Sequence, residues 1–329
     1  MSDSAVIVRD LTKIYEPTRP WMRVFVRSPI RVAIKALDGV SLRVDSGRLC
    51  AVIGANGAGK STLFRILTGL TTPTRGQATL VGLDAMIDAN RIRRQVGFMP
   101  ADDRTLFLRH TCRENLRFHG RLQGMEDTKL RPRIDEVLKM VGLSDSRDRT
   151  GFALSSGMRA RLMFARAILH EPRVLILDEP TGSIDLIGAR HFLNLIVRTT
   201  VEQGTATLIS SHRLEEIDAL RDNVLLLDSG RVVFSGNLDH VSAVAENMRY
   251  EVTCVDLPAA QRVGRLLQAK LGPAVVVETA GSNVLFPSSE GSHDYIAALA
   301  ELGSEVVSVV LRKLSMSETI SALLGENPG

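Results

Sequence analysis

The residues Gly54, Ala55, Asn56, Gly57, Ala58, Gly59, Lys60, Ser61 and Thr62 carry the spacing G-x-x-x-x-G-K-[ST]. They sit between a short apolar run, LCAVIG (49–54), and a helical pattern starting at Lys60. In that context the motif is a phosphate cradle. Its glycines let the backbone curl until N–H groups point inward, and the helix N-terminus behind them favours negative charge. Lys60 is placed to neutralise the β- and γ-phosphates, and Ser61 to offer a hydroxyl to Mg²⁺. A second buried run, VLILDEP (174–180), ends in two acids. Phosphoryl transfer is mainly positioning plus charge stabilisation. One carboxylate for the metal and one for the water is therefore a sensible minimum. Asp178 is expected to complete the Mg²⁺ shell, and Glu179 to orient or deprotonate the attacking water.

These groups need a rigid sheet behind them. VIVRDL (6–11) and VSLRV (40–44) alternate apolar and polar residues, whereas LCAVIG, VLILDEP and TATLISS (205–211) are nearly continuous apolar runs, as buried strands require. Helical patterns at 131–141 and 157–170 lie between them. Strands alternating with helices predict a layered α/β fold with a mixed, largely parallel sheet. The texture changes near residue 238. YEVTCVD, AAQRVGRLLQAKLG, a hairpin around Gly281-Ser282-Asn283, SHDYIAALAELG, SEVVSVVLRK and SMSETISALLG follow in turn. The order β-α-β-β-α-β-α predicts a small ferredoxin-like α+β domain over 239–329.

LSSGMRARLMFARAIL (154–169) separates one P-loop family from another. Its place ahead of Asp178 resembles the signature, usually LSGGQ, of the ABC transporter ATPases. The resemblance covers 5–236 and implies an ATPase domain at 1–238 with a helical subdomain at about 100–165. It implies a head-to-tail homodimer in which Ser155, Ser156 and Gly157 of one subunit face the P-loop of the other. It further implies Tyr15 as the aromatic that stacks on adenine, Asp185 as the coupling residue of the loop after the acids, and His212 as the switch histidine near the γ-phosphate. The family commonly has Gln after a stretch like VGFMP. Here Ala101 stands there, followed by Asp102, Asp103 and Arg104, and either acid is a candidate substitute. TCRENL (111–116) and the C-terminal ending resemble ABC-2 exporter ATPases. That resemblance implies an integral membrane permease as partner, and a peripheral place on the cytoplasmic membrane face.

Residues 16–35 read as an insertion. Arg19, Arg23, Arg27, Arg31 and Lys35 recur at a constant spacing around Trp21, Phe25 and Ile30, a basic amphipathic pattern suited to a membrane surface or a membrane partner. With SSGM in place of SGGQ, it resembles exporters of polysaccharide or polyol-phosphate polymers; a drug-like cargo is the other expectation.

Composition narrows the field. Hydrophobic residues are 44% and charged residues 24%, the profile of a soluble globular chain. No apolar run approaches the roughly 20 residues that span a bilayer. The start, MSDSAVIVRD, lacks a signal-peptide pattern. A net charge of +4 selects no partner, and aromatics at 4% give little to stack bases on, so nucleic acid is not expected. Cys50, Cys112 and Cys254 have no metal or disulfide spacing. The alternatives are a soluble ABC ATPase acting on ribosomes or DNA, and a regulator that binds nucleotide without hydrolysing it.

Overall fold

A computed structural model describes residues 4–17, 32–211, 223–237, 248–271, 277–287 and 305–313. The chain divides into two compact units, Met1–Asn237 and Leu238–Gly329.

The first unit holds two sheets around one core. Long strands β1 (Ser4–Tyr15) and β2 (Ile34–Asp45) pair antiparallel, with Tyr15 opposite Ile34. The segment between them therefore leaves and returns at one point of the sheet; its residues 18–31 lie outside the described residues. β4 (Arg75–Leu80) and β5 (Leu83–Asp84) complete this sheet in the order β2-β1-β4-β5.

The second sheet runs β10-β9-β3-β8-β7-β6. Its strands are β3 (Leu49–Ile53), β6 (Val96–Met99), β7 (Val174–Leu177), β8 (Ala206–Ser211), β9 (Val224–Asp228) and β10 (Arg231–Gly236). β6, β7, β8, β3 and β9 are parallel to their neighbours, and β10 closes the edge antiparallel. β7 and β8 are buried throughout, which is why their sequences do not alternate. Ser229 and Gly230, both at positive φ, form the tight hairpin into β10.

Helix α1 (Lys60–Leu67) buries Leu63, Phe64, Ile66 and Leu67 in a cluster shared with Val6, Val8 and Leu11 of β1 and Val52, Ile176 and Leu208 of the parallel sheet. The cradle helix is thus held by both sheets. α2 (Ala89–Gln95) leads into β6. Helices α3 (Cys112–Leu122), α4 (Asp127–Met140) and α5 (Ser156–Ile168) form a helical group between β6 and β7. α6 (Leu186–Gln203) joins β7 to β8.

In the second unit, β11 (Met248–Cys254), β12 (Glu278–Ala280), β13 (Asn283–Pro287) and β14 (Val306–Lys313) form an antiparallel sheet in the order β12-β13-β11-β14. Counting those strands 1 to 4 along the chain, the order is 2-3-1-4, that of a split β-α-β arrangement. Helix α7 (Leu257–Leu271) packs Ala259, Ala260, Val263 and Leu267 on Tyr250, Val252, Val284 and Phe286. The expected hairpin turns at Gly281, which has φ 58°. The helices expected at 292–303 and 315–325 lie outside the described residues.

Candidate functional site

The cradle is built from close backbone contacts. Gly59 caps α1 in a left-handed conformation with φ 107°, and a Cβ there would lie 2.5 Å from the Ala36 carbonyl oxygen and 2.9 Å from Leu37 Cδ2. A Cβ on Gly54 would overlap the Leu227 carbonyl. Only glycine fits either position. Gly57 has φ 89° and nothing within 4 Å of its Cβ direction, so the crest of the loop is open. Ala58 anchors the base by accepting from the Gly230 N–H at 3.0 Å.

Lys60 is 4% exposed and crosses the loop. Its ammonium donates to the Gly54 carbonyl at 2.5 Å and the Ala55 carbonyl at 3.1 Å, and stands 3.9 Å from Glu179 Oε1. Burial pushes its pKa down, while the Glu179 and Asp178 carboxylates hold it up. Asn56, Gly57, Gly59, Lys60, Ser61, Thr62 and Glu179 line one cavity of about 390 Å³, bordered by Ile34, Lys35, Ala36 and Ser229.

The two acids are placed by a residue that the sequence reading missed. Ser210, fully buried in β8, donates to Asp178 Oδ1 at 2.6 Å and accepts from the Glu179 N–H at 2.8 Å. The Asp178 N–H donates to the Met99 carbonyl at 2.8 Å. Glu179 sits at φ 46°, which costs a non-glycine residue about 1–3 kcal/mol. The Ser210 bond holds that turn, with the carboxylate facing Lys60. The only signal for Ser210 is a small hydroxyl residue in an apolar strand ending.

The other candidates that the structure describes are not among the described lining of this cavity. Tyr15 ends β1 opposite the cavity residue Ile34, with Lys13 Nζ 4.9 Å from its ring centroid. Ser155 caps α5 by accepting from the Met158 N–H at 3.2 Å, and Ser156 and Gly157 open the helix. Gly157 has open space towards a Cβ, with Ile184 Cγ2 its nearest neighbour at 3.9 Å. Asp185 caps α6 by accepting from the Gly188 N–H at 2.9 Å. None of Ser155, Ser156, Gly157 or Asp185 is among the described lining of the cavity. His212 lies outside the described residues.

Asp102 accepts from the Arg104 N–H at 3.1 Å and is exposed, whereas Asp103 pairs with Arg159 Nε of α5 at 2.8 Å. Neither carboxylate is among the described residues of the cavity.

The donor set suits Mg²⁺. Ser61 and Asp178 offer hard oxygens beside the phosphate loop, and no cluster of three or more His, Cys, Asp or Glu occurs among the described residues. A Mg²⁺ ion takes one or two protein oxygens and fills its shell from phosphates and water. Among the described residues, no helix is long and apolar enough to cross a membrane.

The sequence and the fold are both similar to those of known proteins. The ABC transporter family matches residues 37–182. The daunorubicin/doxorubicin resistance ATP-binding protein DrrA of Streptomyces peucetius is 33% identical over 327 residues, covering 98% of this chain and 92% of that protein. The ABC transporter ATP-binding protein NatA of Bacillus subtilis (strain 168) is 34% identical over 219 residues, covering 66% of this chain and 89% of NatA. Among solved structures, cbiO1 from Clostridium perfringens, part of the ABC transporter complex cbiONQ, has a TM-score of 0.62 at 25% identity, covering 82% of this chain and 96% of that chain. The dimeric ATP-binding cassette MJ0796 bound to ADP and Pi shares the fold, with a TM-score of 0.60 at 24% identity over 71% of this chain and 98% of that chain.

Proposed function

The chain belongs to the ABC transporter family as an ATP-binding ATPase subunit, and from that premise we propose that two copies pair head to tail to drive an export permease carried on another polypeptide. One observation carries the reading. Lys60 and Glu179 meet at 3.9 Å in a cavity walled by the phosphate loop, while the signature cap at Ser155–Gly157 is absent from that cavity's described lining. A second copy supplies the signature, so each ATP lies between the cradle of one chain and the α5 N-terminus of its partner.

Each residue then has a defined task. The loop N–H groups and Lys60 hold the β- and γ-phosphates. Ser61 and Asp178 would hold Mg²⁺, which would supply charge neutralisation at the outer phosphates. Glu179 aligns the attacking water and accepts its proton. Tyr15 stacks on adenine, Asp185 couples the two sites, and His212 steadies the γ-phosphate. Gly157 and the hydroxyls of Ser155 and Ser156 cap the γ-phosphate from the partner's side. Closure of the dimer turns the permease, and hydrolysis reopens it. This reading places the ATPase at 1–238, with its helical part at about 100–165, on the cytoplasmic membrane face. Residues 16–35 contact the membrane partner, and 239–329 form an accessory domain.

Similarity to DrrA extends over 98% of this chain, which supports a drug-like cargo over a polymer. The test of the site is Lys60→Ala. ATP turnover by the purified chain is expected to fall at least about 100-fold, the scale of losing a charge-stabilising group; undiminished turnover would remove Lys60 from the mechanism.

A further inference from the structure

The stretch that departs from the family pattern, Ala101–Arg104, is tied to the signature helix. Asp103 Oδ2 lies 2.8 Å from Arg159 Nε. The same guanidinium donates through Nη1 to the Leu154 carbonyl at 2.9 Å. Leu154 immediately precedes Ser155, the cap of α5. Two turns further along α5, Arg166 donates to the Thr105 carbonyl at 2.9 Å. Arg159 and Arg166, seven residues apart, share one helix face, so the 103–105 segment is strapped along that face. At its other end the segment leaves β6 at Met99, whose carbonyl accepts from the Asp178 N–H at 2.8 Å.

Arg159 is badly placed for its own helix. A cation in the first turn meets the positive end of the helix dipole. The Asp103 carboxylate offsets that charge. It also ties the side chain between two segments, by an ion pair to Asp103 and a hydrogen bond to the Leu154 carbonyl. Asp102 does not do this, because its carboxylate is spent on the Arg104 N–H at 3.1 Å and on Arg104 Nε at 3.5 Å. Ala101 has no group that could.

We propose that Asp103 is a positioning residue that, through Arg159, holds the signature cap at Leu154–Ser155 in register with the metal-carboxylate strand β7. The proposal rests on the composite two-chain site described above. Asp103 touches neither nucleotide nor water in this account. It sets where the signature stands when the dimer closes, so its loss should lower kcat and leave single-chain nucleotide affinity alone.

The experiment compares Asp103→Asn, Arg159→Leu, the double variant Asp103→Asn with Arg159→Leu, and Asp102→Asn in the full chain. Steady-state ATPase kcat is measured alongside binding of a fluorescent ATP analogue and the thermal midpoint. Misplacement of a reacting group by about an ångström costs up to about 100-fold, so a partial loss of register predicts a kcat about tenfold lower for Asp103→Asn. Analogue affinity should stay within about twofold and Asp102→Asn at wild-type kcat. Because Asp103 acts through Arg159, the double variant should lose no more kcat, within about twofold, than Arg159→Leu alone. Wild-type kcat in Asp103→Asn overturns the proposal, and so does a double variant whose loss is the product of the two single losses. If Asp103→Asn loses kcat only in step with its thermal midpoint or its analogue affinity, the role is structural and the proposal falls. Lys60→Ala run in parallel separates the two levels: a dead Lys60→Ala beside an unimpaired Asp103→Asn refutes only the positioning role, whereas an active Lys60→Ala refutes the site itself.

Discussion

The phosphate cradle and the helical group that follows β6 are held together by different kinds of contact. In the cradle, Lys60 reaches carbonyls five and six residues back, at Ala55 and Gly54, and Ala58 donates to the Ala55 carbonyl. In the helical group the deciding contacts join distant segments. Arg133 of α4 donates to the Ile168 and Leu169 carbonyls at 3.0 and 3.2 Å, Arg166 reaches Thr105, and Arg159 reaches Asp103. The cradle is set by backbone contacts, within the loop and to Ala36, Leu227 and Gly230. The helical group is tied by arginine side chains that bridge elements. A rigid loop next to a helical group positioned by a few charged side chains suits a site whose second half must move between open and closed dimers.

Breaking each half should therefore give different signatures. The largest effect belongs to the cradle: Lys60→Ala loses turnover, and it also takes the ammonium donor from the Gly54 and Ala55 carbonyls. Next comes Arg133→Leu in the helical group. Arg133 is 8% exposed, satisfies two carbonyls at the end of α5, and pairs with Glu136 at 2.9 Å. Its loss leaves buried carbonyls unpaired where a cation also suits the helix dipole. We expect a destabilisation of about 2–4 kcal/mol, read as a lower urea midpoint. An unchanged midpoint would mean that the helical group does not depend on such bridges.

A smaller effect, again in the helical group, depends on pH. His119 of α3 faces His170, 6.2 Å away between ring centroids, and its pKa is pushed down to about 4 by burial, with Arg166 and His170 adding to the shift. The unfolded histidine titrates near 6.5. The folded state therefore binds fewer protons in the window from about 6.5 to 4. The stability from the neutral ring is complete above that window and is lost as pH falls through it. Going from pH 7 to pH 5 should cost about 2 kcal/mol of unfolding free energy. His119→Leu should flatten that part of the profile, and a variant with the same slope as wild type would show that this ring does not titrate so.

The same contrast explains what could be read from the chain alone. The cradle, Lys60 and the acids at 178–179 were legible because the motif spans adjacent residues and a buried strand announces itself as an apolar run. The split β-α-β pattern of the second unit was legible for a similar reason: each element is short and bounded by a turn, as at Gly281. Ser210, Arg133 and Asp103 were not legible. Each gains its meaning from a partner dozens of residues away, Asp178 for Ser210, Ile168 for Arg133 and Arg159 for Asp103. An arginine in an amphipathic helix reads as a solvated charge until the packing places a helix end beneath it. Which of Asp102 and Asp103 meets an arginine of α5 was likewise hidden, since both are acids in one turn and only the packing brings Asp103 to Arg159.

The central claim is that the cradle of one chain and the signature of another complete one ATP site. Glu179→Gln tests it most directly, because it keeps nucleotide binding and removes the group that activates water. Light scattering of this variant should show a monomer without nucleotide and a dimer with ATP and Mg²⁺. Adding Gly157→Asp, which sets a carboxylate against the γ-phosphate, should return it to a monomer. A Glu179→Gln chain that stays monomeric with ATP, or that dimerises equally well with Gly157→Asp, would contradict the composite site.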